Sequence, residues 1–163
     1  MDDTLHLNAI RSLHGVIAGS SDNTSWGTEA DRMGDWQRAV LTRLYALTMS
    51  DEILYVSSAK VGDTEWDFVA LTALRVVRVL VSNAGQAAVR FETVTFARSS
   101  LESLELLDVG DIPAGESAWP IDLNLIGHYR AGSVPLPLDR FASESNKHDL
   151  IRLLKSLQED LTS

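Results

Sequence analysis

The densest apolar tract of the chain, DFVALTALRVVRVLV (Asp67 to Val81), carries charge only at Asp67, Arg75 and Arg78. A helix over these residues would lack the polar face that solvent requires. Read as strands, Val77, Val79 and Val81 share one face, and Val76, Arg78 and Leu80 share the other. Five valines in fifteen residues also favour a pleated surface over a helix. The tract therefore predicts two strands joined by a turn at Thr72 to Arg75.

Strand texture surrounds this hairpin. ILYVSSAKV is β-branched and small, and the turn-like GDTE (Gly62 to Glu65) follows it. AAVRFETVTFA predicts a strand through Phe96, and LESLELL (Leu101 to Leu107) a short one. WPIDLNLIGHY alternates cleanly: Trp119, Ile121, Leu123, Leu125 and Tyr129 against Pro120, Asp122, Asn124 and His128, a strand with one wet face. The prolines of SVPLPL restrict that stretch to a sheet edge or an extended connection.

Helical periodicity occupies the two ends. Leu7, Ile10, Leu13 and Ile17 fall three or four apart, with Thr4 as N-cap, until GSSDN (Gly19 to Asn23) breaks the pattern. A second helix is expected from Thr28, where Thr28 to Asp31 imitates a capping box, with an apolar stripe of Met33, Trp36, Val40, Leu44 and Leu47. Gly34 costs that helix about 1 kcal/mol against Ala, so a later start is the alternative. At the C-terminus Leu150, Leu153/Leu154, Leu157 and Leu161 form a stripe, with Ser145 or Asn146 as cap and Asp149 in the first turn. Its polar face carries Arg152, Lys155, Glu159 and Asp160.

The expected architecture is α+β: a helical segment over 1–50, then six or seven antiparallel strands and a helix over 51–163. That order, in 113 residues, resembles the bacterial pleckstrin-homology-like (PH-like) domains. FVALTALRVVRV is similar to the second-to-third strand hairpin of that family, with Thr72 and Arg75 at matching turn positions and Ala73 and Leu74 in place of polar ones. LIRLLKSLQEDL resembles the helix that covers one open end of the barrel. The resemblance implies a β-barrel or sandwich whose members bind lipids, peptides or proteins and share no catalytic activity. Phosphoinositide-binding members carry Lys and Arg around the first hairpin loop. The equivalent stretch here, KVGDTEWD, sets Lys60 against Asp63, Glu65 and Asp67, which argues against a phosphate headgroup.

Composition narrows the function further. The formal net charge of -9 disfavours duplex nucleic acid and anionic membrane, because both need Lys and Arg to displace counterions. The absence of cysteine excludes disulfides, thiolate nucleophiles and sulfur-ligated zinc. The spaced apolar residues of the opening segment are not those of a signal peptide, and a cytoplasmic, bacterial setting is expected.

Candidate chemistry is sparse. His6 and His14 lie eight residues apart with no acid placed between them as in a zinc-protease helix, and both are expected at exposed or cap-adjacent positions. His128 and Asp122 share a strand face about 20 Å apart, too far to cooperate. Asp63, Glu65 and Asp67 lack the further oxygens of a calcium loop. No nucleophile elbow or phosphate-binding glycine loop occurs. No catalytic residue, metal or cofactor is expected.

Trp66, flanked by two acids at a hairpin mouth, is expected as an exposed aromatic anchor. The stripe of Trp36, Leu44 and Leu47 must be buried either on the barrel's outer face, giving a monomer with an enlarged core, or on a partner copy, and the polar outer strand faces favour the partner. The sequence thus points to a non-enzymatic protein-binding or self-associating module, with a homodimer through the N-terminal helices as the simplest assembly. The alternative is a small-ligand carrier or enzyme using the barrel interior; the inward positions assigned there, Val77, Val79, Ile121, Leu123 and Leu125, predict a packed core instead.

Overall fold

The computed structural model describes residues 3–21, 24–27, 32–48, 51–110, 122–139 and 142–163. Helix α1 (Asp3–Ser20) leads through a single helical turn (Thr24–Trp26) to α2 (Asp35–Thr48). Four strands follow: β1 (Tyr55–Lys60), β2 (Trp66–Leu71), β3 (Arg75–Ser82) and β4 (Arg90–Ala97). A second helical turn (Arg98–Ser100) precedes β5 (Leu101–Asp108), β6 (Asn124–Tyr129) and β7 (Gly132–Leu136), and α3 (Glu144–Thr162) ends the chain.

Thr72 closes the hairpin that the valine pattern predicts. Its hydroxyl accepts from the N–H groups of Leu74 and Arg75 at 3.2 and 3.0 Å, and its own N–H donates to the Arg75 carbonyl. Leu71 then faces Val76 and Asp67 faces Leu80 across the ladder. The charges of this tract meet one another: Asp67 takes two hydrogen bonds from Arg78, at 3.1 and 2.7 Å, diagonally across β2 and β3. That bonding raises the Arg78 pKa above its ordinary value. A third Arg78 N–H reaches the Ser133 carbonyl on β7 at 3.1 Å.

The strands form two antiparallel sheets, β1-β2-β3-β4 and β5-β6-β7. The expected closed barrel is corrected. Among the described residues β4 pairs only with β3, and β5 only with β6, whereas closure needs a continuous ladder. The turn at Arg98–Ser100 interrupts that ladder, with the Arg98 N–H bonded to the Leu74 carbonyl instead.

The central strands β2 and β3 are buried on both faces, which explains why they read as nearly continuous apolar runs, whereas β4 is largely exposed. Val56, Trp66, Phe68, Ala70, Val77, Val79 and Val81 pack beneath Leu13 and Ile17 of α1 and Val40, Leu41 and Leu44 of α2. Tyr55, Val69, Leu71 and Val76 meet Leu123, Leu125, Tyr129 and Leu136 of the second sheet and Leu150, Leu153 and Leu157 of α3. The positions expected to share one interior therefore belong to two cores: Val77 and Val79 face the helical layer, whereas Leu123 and Leu125 pack against the other face of the first sheet and α3. Ile121 and Trp119 lie outside the described residues, as does the Thr28–Asp31 capping box.

Three helix details differ from expectation. Helix α2 starts at Asp35, just past Gly34, whose N–H is taken by the Gln37 side chain at 2.8 Å. The α1 stripe ends short of Leu7, which is 48% exposed. Helix α3 is capped by Ser143, whose hydroxyl accepts from the Asn146 N–H, and not by Ser145 or Asn146. Asn146 is freed for a different task.

Candidate functional site: a groove between the first and last helices

Helices α1 and α3 lie far apart in sequence and are stapled at one end. Ser143 uses its hydroxyl twice, accepting the Asn146 N–H at 3.2 Å and donating to the Gly19 carbonyl at 2.6 Å. Its backbone N–H bonds the Ser20 carbonyl, so two carbonyls orphaned at the end of α1 are satisfied by the start of α3. A bridge between Ser21 and Ala142 completes the staple.

Asn146 then fixes α3 to the outer edge of the first sheet. Its amide donates to the Val56 carbonyl at 2.6 Å and its oxygen accepts from the Tyr55 hydroxyl at 2.8 Å. Burial pushes the Tyr55 phenol far above its ordinary pKa, keeping it a hydrogen-bond donor. An edge strand that would otherwise offer unpaired backbone groups is thus covered by a buried amide.

Between the stapled helices runs a groove floored by residues 52–56. Compartments of about 480 and 420 Å³ lie between α1 and α3, a third of about 320 Å³ lies between α1 and α2, and all share Val16 as a common wall. Val16 is 50% exposed and Leu54 39%, while Ile53, Val56 and Leu153 supply deeper apolar surface. The rim is acidic. Asp51 pairs with Arg75 at 3.3 Å and Asp149 with Arg152 at 3.6 Å, and Glu52 has no ion pair among the described residues. Three lining carboxylates face one lining cation, Arg152.

The residues expected to touch a partner are brought together, but inside the chain. Trp66 is only 6% exposed, which corrects its reading as a rim residue. It shares strand parity with Phe68 and Ala70, so its ring turns under the helices and stacks on Phe68 with centroids 5.8 Å apart. Trp36 packs 5.7 Å from it, Leu44 is fully buried and Leu47 borders the same core. The helical stripe that seemed to require a second copy is covered by the chain's own first sheet. The acidic hairpin is likewise divided, since Asp67 is buried against Arg78 while Asp63 is exposed.

His6 meets the Tyr45 hydroxyl at 2.9 Å. His14, expected near solvent, is 1% exposed and packs on Trp26. His128 sits between Ser133 Oγ at 2.8 Å and Glu105 Oε2 at 3.0 Å, on neighbouring strands of the second sheet. Asp122 is bound instead by Lys147 at 3.0 Å. The serine–histidine–glutamate line is exposed and lies outside the groove, so it lacks the water-excluding enclosure that acyl transfer uses. No group of three or more ligating side chains suited to a metal ion occurs among the described residues, nor any helix long and apolar enough to cross a membrane.

Sequence reasoning missed the groove because its walls come from segments around Val16, Leu54 and Asp149, which no local pattern joins. One signal was available: Val16 is an apolar residue outside the α1 stripe. Comparison with models of known families, with curated proteins and with solved structures returns no match to this chain.

Proposed function

We propose that the chain is a non-enzymatic, PH-like protein-binding module whose groove between α1 and α3 receives a segment of another protein. The observation that carries this reading is the exposed apolar pair Val16 and Leu54, set in a groove whose rim holds more carboxylates than cations. Such a surface suits a partner segment with an apolar anchor and basic flanks. Four strands, three strands and a C-terminal helix, in that order, support the PH-like part of the reading. The exposed acid of the first hairpin loop, Asp63, argues for a protein partner over a phosphate headgroup.

A fluorescently labelled amphipathic peptide of leucine and lysine tests this. The full chain binds it, and both Val16→Lys and Leu54→Lys weaken binding by about tenfold or more, since each places a like charge against the peptide. A peptide with glutamate in place of lysine does not bind. Equal affinity of wild type and both variants, or no binding of the lysine peptide, would refute the groove as the docking site.

A further inference from the structure

His14 is the anomaly of the helical core. It stands on the buried face of α1 beside Leu13 and Ile17, and neither ring nitrogen has a hydrogen-bond partner. Its ring lies 5.4 Å from that of Trp26, whose buried indole N–H is also unpaired. Buried polar groups in folded proteins are bonded in the great majority of cases. A leucine would fill this position without leaving two nitrogens unbonded.

No described ionisable group stands ready to compensate a charge on the ring. On α1 itself, His6 is engaged by Tyr45 and Arg11 is exposed. Beyond Trp26 the connection to α2 offers Arg32, which is exposed. Helix α2 turns Gln37, Val40, Leu41 and Leu44 inward, while Asp35 and Arg38 face solvent and Arg43 covers the Phe91 ring. On β1, Lys60 is exposed and Tyr55 belongs to the opposite core. On β2, Asp67 is committed to Arg78, and on α3, Asp149 lines the groove beside Arg152.

We propose that His14 is an acid-sensitive latch: neutral, it lets α1 dock on the first sheet, and protonated, it releases the helix and with it one wall of the groove. Desolvation by burial lowers the imidazole's pKa in the docked state. The released state binds its proton near the ordinary value of about 6.5. Docking therefore keeps its full strength above about pH 6.5 and weakens as the pH falls below it, by up to about tenfold in the docking equilibrium per pH unit. The latch stands on the burial of His14 alone; its consequence for ligand release rests on the groove being the binding site.

Nuclear magnetic resonance of the histidine ring protons and the α1 amides, recorded on the full chain from about pH 8 to about pH 5, tests it. His14 stays neutral until the α1 amides lose their docked shifts with it. In His14→Leu the α1 amides keep their docked shifts across the range. Titration of His14 with α1 still docked, or an unchanged acid transition in His14→Leu, would overturn the latch. Should His14→Leu not fold, the wild-type titration decides alone. In a second arm, affinity for the leucine–lysine peptide falls with acid in wild type and not in the variant. Failure of this arm with the latch intact counts against the groove reading only.

Discussion

Beneath α1 and α2 the first sheet meets a layer of rings: Trp26, Trp36, Trp66 and Phe68, with centroids 5.3–5.9 Å apart. Two buried polar side chains there, His14 and Trp26, have unbonded nitrogens. Beneath the second sheet and α3 the same strands meet mostly aliphatic side chains, but the polar groups among them are almost all tied. Arg98, 2% exposed, bonds Asp160 at 2.9 Å, the Thr72 carbonyl at 3.0 Å and Ser156 at 2.7 Å. Asn146 bonds β1 twice. Among the described residues of this core only the Tyr129 hydroxyl is left unbonded, and burial pushes its pKa up to about 12. The first core is held mainly by contact area, with Gln37 bonding the Trp26 carbonyl at 2.7 Å, and the second by area and a denser set of directional bonds. Contact area tolerates sliding and rotation, whereas a bonded arginine or amide fixes one geometry. The groove lies at the junction, with α3 as its more heavily bonded wall and α1, whose release is proposed above, as the other.

The largest break in this contrast comes from the clamp itself. Arg98→Ala removes the cation from a buried pair and strands the Thr72 carbonyl at the tip of the β2–β3 hairpin. It is expected to cost about 3–5 kcal/mol in chemical denaturation. A loss under about 1 kcal/mol would mean that α3 docks by apolar contact as α1 does. Asn146→Leu is a smaller intervention, leaving the Val56 carbonyl and the Tyr55 hydroxyl buried without partners, and should cost roughly 2–4 kcal/mol. Its sharper signature is local. Exchange of α3 amides accelerates relative to those of α2, which makes no hydrogen bond to Asn146. Uniform acceleration in both helices would erase the distinction between the walls.

The contrast also sorts what could be read from the residues. The hairpin over Asp67 to Val81 was legible because burial on both faces writes itself into the strands as valine at successive positions. Trp66 misled because its neighbours Glu65 and Asp67 are charged, yet a strand sends neighbours to opposite faces and the tryptophan followed Phe68 inward. Asn146 looked like a cap because asparagine near a helix start satisfies either role, and only the approach of β1 decides between them. The role of Arg98 was not legible, since Thr72 and Asp160, its partners, lie 26 and 62 positions away. The barrel failed for the same reason: local alternation specifies strands and pairs, while the break between β4 and β5 depends on where Arg98 is bonded. His14 carried a faint signal, as a polar residue next to the Leu13–Ile17 stripe.

The groove with one heavily bonded wall and one proposed to move is tested most directly by hydrogen exchange of the full chain with and without the leucine–lysine peptide near neutral pH. Binding in the groove predicts slower exchange in α1 around Val16 and in residues 52–56, with little change in α3, whose bonds are already made. Protection confined to the second sheet or to the β1–β2 loop, with α1 unchanged, would contradict it.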